Sequence, residues 1–126
     1  MAIGHGDAEK MSWGIVEIGI SLDDPEAGFS FTKSGGNVTL RYRDWQNNEI
    51  VITFVDVSKF AYSCSPPYPK LGGGAFYEAA DSEHVRSLRD AEILGKAEEA
   101  HHYLIATNED QWCEVVAARY EVAVNP

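Results

Sequence analysis

Four histidines and two cysteines are the side chains in this sequence best suited to hold a metal or supply a nucleophile. Their spacing decides which of those chemistries is open. His101 and His102 are adjacent in "HHYLIAT", and neighbouring side chains on a strand leave opposite faces, so the two cannot chelate one ion together. A site would need one of them plus distant ligands such as Cys113, His84 or a carboxylate, and none stands at a recognisable zinc spacing. The expectation is no metal and no cofactor. A nucleophile pair can be assembled on paper from Cys64 or Cys113 with His84 or His101, but almost any chain of this size offers such combinations. Cys113 lies in the alternating "QWCEVVA", on the same face as Val115 and Ala117, and reads as a small core residue. Cys64 sits at a loop edge and is the more accessible thiol. The neighbouring carboxylates Asp23 with Asp24, and Glu98 with Glu99, read as solvated surface, and no Gly-x-Ser-x-Gly elbow occurs. No catalytic residue is assigned.

The stretch "SCSPPYPKLGGGAF", residues 63–76, holds three prolines and three consecutive glycines. Glycines let backbone N–H groups approach an anion. A phosphate loop, however, needs Gly-x-x-x-x-Gly-Lys-Ser/Thr opening a helix, and a dinucleotide fingerprint needs Gly-x-Gly-x-x-Gly between strand and helix. Gly72 to Gly74 lead instead into the strand-like "AFYEAA". The segment reads as a long surface connection, stiff at Pro66, Pro67 and Pro69 and permissive at the glycines, with Tyr68 as its exposed contact residue.

The elements that must position these groups are mostly strands. "NVTLRYR" alternates Val38, Leu40 and Tyr42 with Thr39, Arg41 and Arg43, and the turn-forming "SGGN" before it pairs it with "FSFT" in a hairpin. In "EIVITFVDV" both faces are apolar or β-branched, which predicts a central strand covered on both sides. "WGIVEIGIS", "SKFAYS", "AFYEAA", "HHYLIAT" and "QWCEVVAARYEVAV" supply further strands, with "NEDQ" as a turn. One helix is expected over about 82–94, capped by Asp81 or Ser82 and stopped by Gly95. The pattern predicts an α+β domain, mainly antiparallel β, with seven or eight strands in a curled sheet or sandwich and one helix. Residues 1–11 read as a flexible leader and 12–126 as a single domain.

Twenty acidic against ten basic residues give a net charge of −10 over 126 residues. Phosphates and anionic headgroups would be repelled, so nucleic acid and membrane surfaces are excluded as partners that bind through a basic face. No apolar run approaches the roughly 20 residues that cross a bilayer, and the N-terminus lacks the pattern of a secretory signal. Two cysteines without an export signal are expected to be reduced thiols in a cytoplasm.

The run "FVDVSKF", with Phe54, Asp56 and Phe60, and the later "HHYLIATNEDQWCEVVA", with His102, Tyr103 and Ile105, resemble small bacterial cytoplasmic proteins of unknown function. Some of these are grouped with immunity proteins of polymorphic toxin systems. The resemblance implies a non-enzymatic inhibitor that blocks a basic partner, such as a toxin, by shape and charge, and it carries over no catalytic residue. Candidate acidic contacts are Glu78, Asp81, Glu83, Glu109 and Asp110, with Tyr68 and Trp45 as anchors. Two other readings compete. Trp13, Phe29, Tyr42, Phe54, Tyr103 and Trp112 can line a small-molecule pocket or fill a core, core filling being the default. An exposed edge strand can also build a homodimer.

Overall fold

Period-two alternation dominates the chain, and the computed structural model shows why. It describes residues 11–126 apart from 23, 24, 26, 69 and 96, with Ala27 as backbone alone. The expected leader, the Asp23/Asp24 pair and Pro69 therefore lie outside the described residues, except that Met11 is buried. Strands β2 (Ala27–Ser34) and β3 (Asn37–Arg43) form the expected hairpin, turning at Gly35, whose φ of +60° few side-chain-bearing residues adopt. Antiparallel to β3 runs β4 (Glu49–Val55), and β9 (Arg119–Asn125) closes a four-stranded sheet in the order β2-β3-β4-β9. The other sheet has five strands, β1 (Ser12–Ile15), β5 (Lys59–Ser63), β6 (Ala75–Ala80), β7 (His101–Ala106) and β8 (Trp112–Ala117), in the antiparallel order β1-β6-β7-β8-β5.

The two sheets share one core, as a sandwich. Leu40, Tyr42, Ile50, Ile52 and Phe54 of the four-stranded sheet meet Phe76, Tyr103, Ile105, Cys113, Val115 and Ala117 of the five-stranded one. Phe54 and Phe76 stack at 6.5 Å between ring centres, and Tyr103 lies against both. Truncating a ring as enclosed as Phe54 to alanine would cost about 3–5 kcal/mol. The interior is filled by side chains: of the six aromatics weighed as pocket lining, Phe29, Tyr42, Phe54 and Tyr103 belong to this core.

The elements depart from the sequence reading in four places. Nine strands are present among the described residues, because "QWCEVVAARYEVAV" is two strands in different sheets. The chain changes sheet at Ala118, whose N–H donates to the Val55 carbonyl at 2.9 Å; no glycine or proline marks this corner, so alternation alone cannot show it. In "WGIVEIGIS" the strand ends at Ile15, with one further bond from the Val16 N–H to the Phe76 carbonyl at 2.8 Å. One face of β4 is buried and the other, Val51, Thr53 and Val55, is half-exposed, not covered. Helix α1 spans Glu83–Asp90 and stops short of Leu94. Its left-handed stop falls on Glu92, at φ +62°, ahead of Gly95, while the Ile93 and Leu94 N–H groups fold back onto the Leu88 carbonyl and Leu94 is buried. Ser82 is the N-cap, accepting the Val85 N–H at 3.2 Å. No helix among the described residues is long and apolar enough to cross a membrane.

Candidate functional site on the outer face of the five-stranded sheet

Pleating sends alternate residues of β7 and β8 away from the sandwich core. His102, Leu104 and Ala106 leave β7 on that outer face, and Trp112, Glu114 and Val116 leave β8. Every residue of β8 is buried nonetheless, because the outer face is roofed. Trp13, Tyr68 and Leu71 cover Tyr77, Leu104, Ala106 and Trp112, and α1 lies against β7. The proline/glycine segment is thus a roof strap. Tyr68 turns inward, half-buried against Trp13 at 4.9 Å between ring centres, in place of the exposed contact expected of it. Gly73 passes so near the Thr107 carbonyl that a Cβ there would stand 2.5 Å from its oxygen, and the Tyr77 hydroxyl donates to the Gly72 carbonyl at 2.7 Å.

Beneath the roof four polar side chains are linked. The Tyr68 hydroxyl donates to Glu114 Oε2 at 2.5 Å, and His102 Nε2 lies 2.6 Å from the same oxygen. An ionised carboxylate only accepts, so the hydrogen between them belongs to Nε2. His102 Nδ1 lies 2.7 Å from Ser82 Oγ, which already accepts the Val85 N–H and so has its own hydrogen to give to Nδ1. His102 itself is fully buried. The chain of bonds ties helix, roof and two strands together and leaves no linked group unsatisfied.

His84, in the first turn of α1, stacks on His102 with ring centres 4.4 Å apart. Its Nδ1 stands 3.5 Å from Glu114 Oε2 and 3.2 Å from Lys59 Nζ. Burial above all, with the neighbouring His102 and Lys59, outweighs the attraction of Glu114 and holds His84 below the ordinary imidazole value. Burial pushes Glu114 the other way, but the hydrogen bonds from His102 and Tyr68 outweigh it and keep the carboxyl below its usual range. Burial, then the bond to Glu114, holds the Tyr68 phenol well above the usual range.

Beside this cluster a hollow of about 240 Å³ opens among Glu78, Asp81, Ser82, Arg86, His101 and His102. The carboxylates around it are only partly neutralised. Arg86 pairs with Asp81 and with Glu83, the latter at 2.6 Å, while His101 bridges Glu78 and Glu99 at 2.9 Å each. One neutral imidazole cannot donate from both nitrogens. Burial opposes a second proton, but the bonds to Glu99 and Glu78 prevail and raise the His101 pKa. Next to it a groove lined by Asp56, Ser58, Glu98, Glu99 and Arg119 continues the acidic surface onto the four-stranded sheet.

The seven contact residues named from sequence fall in four places. Glu78, Asp81 and Glu83 sit together at this end of the sandwich. Glu109 and Asp110 occupy the β7–β8 turn at the opposite end. There the segment Ser21–Leu22 links the two sheets, its carbonyls accepting from the Tyr42 hydroxyl and the Asn108 N–H. Trp45, 56 % exposed, lies in the β3–β4 turn of the other sheet. Tyr68 is under the roof. Cys113 points into the sandwich, away from His84 and His102, and burial, then the Glu114 charge, raises its thiol far above the usual value; Cys64 is exposed. Glu114, the centre of the polar cluster, is absent from the sequence reading. The observed register sets Ala106 opposite Trp112 and Leu104 opposite Glu114, so that His102 and Glu114 share a face two positions apart; the turn expected at 108–111 shifts the pairing by one residue and puts them on opposite faces. Comparison of the chain with protein-family models, curated proteins and solved structures finds no match.

Proposed function

We propose that this is a non-enzymatic binding protein that captures a basic protein partner through the acidic end of its sandwich, in the manner of an immunity-type inhibitor acting in a cytoplasm. One observation carries the reading: within a chain of net charge −10, Glu78, Asp81, Glu83, Glu98 and Glu99 gather around one hollow and its adjoining groove. Asp81 and Glu99 present side chains 86 % and 70 % exposed. A concentrated field of one sign speeds encounter with a basic surface and rejects phosphate-bearing ligands. The filled core speaks against the alternative of a ligand-holding barrel.

The test separates a specific surface from bulk charge. The partner is captured by cross-linking in cells, identified and purified. Its affinity is then measured for Asp81→Lys/Glu83→Lys/Glu99→Lys and for Glu109→Lys/Asp110→Lys/Glu17→Lys, Glu17 being exposed beyond the far end of β1; the two triples change net charge equally. Loss in the first triple alone supports the proposal; equal loss in both, or none in either, overturns it.

A further inference from the structure

We propose that His84, His102 and Glu114 form a binding site for a transition-metal dication, with zinc(II) the ion that best fits the donors. The inference is independent of the partner reading. Helix α1, β7 and β8 each contribute one residue, and the three donor atoms lie within 4.8 Å of one another. Two imidazoles and a carboxylate are a donor set that zinc takes with a fourth position left for water.

The surroundings of the donors match what a metal centre requires. A ligating histidine gives its other ring N–H to a fixed oxygen. Ser82 Oγ, anchored by the helix N-terminus, waits 2.7 Å from His102 Nδ1 for that role. Ligating carboxylates are likewise held from outside, as the Tyr68 hydroxyl holds Glu114. On binding, the His102 imidazole keeps one hydrogen, now on Nδ1 in place of Nε2, and Ser82 changes from donor to acceptor.

Three adjustments are needed, and each falls on groups able to make it. Donors at about 2.0–2.1 Å from a tetrahedral ion stand about 3.3 Å apart. His84 Nδ1 and Glu114 Oε2, at 3.5 Å, already do. His102 Nε2 and Glu114 Oε2, at 2.6 Å, part when the ion takes the place of the proton between them. The stacked rings are 22° from parallel, so their in-plane lone pairs do not meet at one point. Closing on one ion therefore requires the His84 ring to turn, and the His84 side chain keeps 23 % of its surface exposed. Lys59 must release Nδ1, which its place on an exposed end of β5 allows.

The experiment titrates the full chain, stripped with chelator, with cobalt(II) followed by visible absorption and with zinc(II) by calorimetry. The expected result is one ion per chain, a cobalt band of four-coordinate intensity, and its displacement by zinc. His84→Ala, whose fold is verified by circular dichroism, weakens binding by more than about 100-fold, and Ser82→Ala by about 10–100-fold. Lys59→Ala tightens it. Cys64→Ser and Glu99→Gln leave it unchanged. No cobalt band, or stoichiometric binding that survives His84→Ala, or loss of binding in Cys64→Ser, overturns the assignment.

Discussion

Tyr68 and Glu114, 46 positions apart in the chain, meet in a 2.5 Å hydrogen bond that clasps the proline/glycine strap to the outer face of the five-stranded sheet. The acceptor is a buried carboxylate held ionised, and bonds to charged groups are the stronger kind. Tyr68→Phe removes the clasp and keeps the ring. It is expected to cost about 1.5–2 kcal/mol, the lower part of the range for a bond to a charged acceptor, because Tyr68 is only half-buried. Urea unfolding reads this as a lower midpoint at unchanged slope. Tyr68→Ala, which also removes the contact with Trp13, costs more. An unchanged midpoint in Tyr68→Phe would show that the bond contributes nothing net.

The three consecutive glycines answer to three different constraints, so an alanine series across them separates three outcomes. At Gly72 a Cβ meets nothing within 4 Å, and Gly72→Ala should stay within about 0.5 kcal/mol of the parent. At Gly73 the new carbon would press on the Thr107 carbonyl oxygen and the Asn108 backbone, which cannot swing aside; a loss of about 1–3 kcal/mol follows. Gly74 adopts φ +76°, where a side chain costs about 1–2 kcal/mol. Thermal melts of the three variants test the order. Equal effects at 72 and 73 would mean that the strap does not lie against the β7–β8 turn.

The strands were legible because alternation follows directly from pleating. Val38, Leu40 and Tyr42, or Ile50, Ile52 and Phe54, are written in the sequence as faces and fold as faces. What alternation cannot carry is a second covering layer. Leu104, Trp112 and Glu114 point away from the sandwich core and look like a solvated face until the strap and α1 are laid over them, and no local pattern in 64–74 announces what it will cover. The corner at Ala118 is hidden for a similar reason: two strands joined without a breaker residue read as one. Adjacency misled in the other direction. His101 and His102 were rightly assigned to opposite faces, yet the partner that matters to His102, Glu114, comes from the next strand.

Burial sorts the two thiols. Cys113 is fully enclosed in the sandwich core and burial raises its pKa, so it offers neither access nor thiolate; Cys64 is exposed. A thiol-specific chromogenic reagent should label one cysteine per native chain and two in denaturant, with Cys64→Ser abolishing the native reaction. Labelling of Cys113 requires unfolding and should be slower than that of Cys64 by at least about 1,000-fold. Two fast thiols in the native state would place β8 outside the core.

His84 and His101 are shifted in opposite directions, so they bend the pH dependence of stability in opposite senses. With its folded pKa lowered, first of all by burial, His84 takes up a proton more readily when unfolded. Stability is therefore lost as pH falls from about 6.5 toward the folded value. His101, raised by its bonds to Glu99 and Glu78 against the opposing effect of burial, stabilises the fold fully below about 6.5 and loses that contribution as pH rises through its folded pKa. Urea melts in chelator between about pH 5 and 8 bracket both windows. Relative to the parent, His101→Gln should be most destabilised at the acid end and converge with it at the alkaline end. His84→Gln should gain on the parent as the medium is acidified. Parallel curves for all three proteins would mean that neither imidazole is shifted, and that the His101 bridge between Glu78 and Glu99 does not hold in solution.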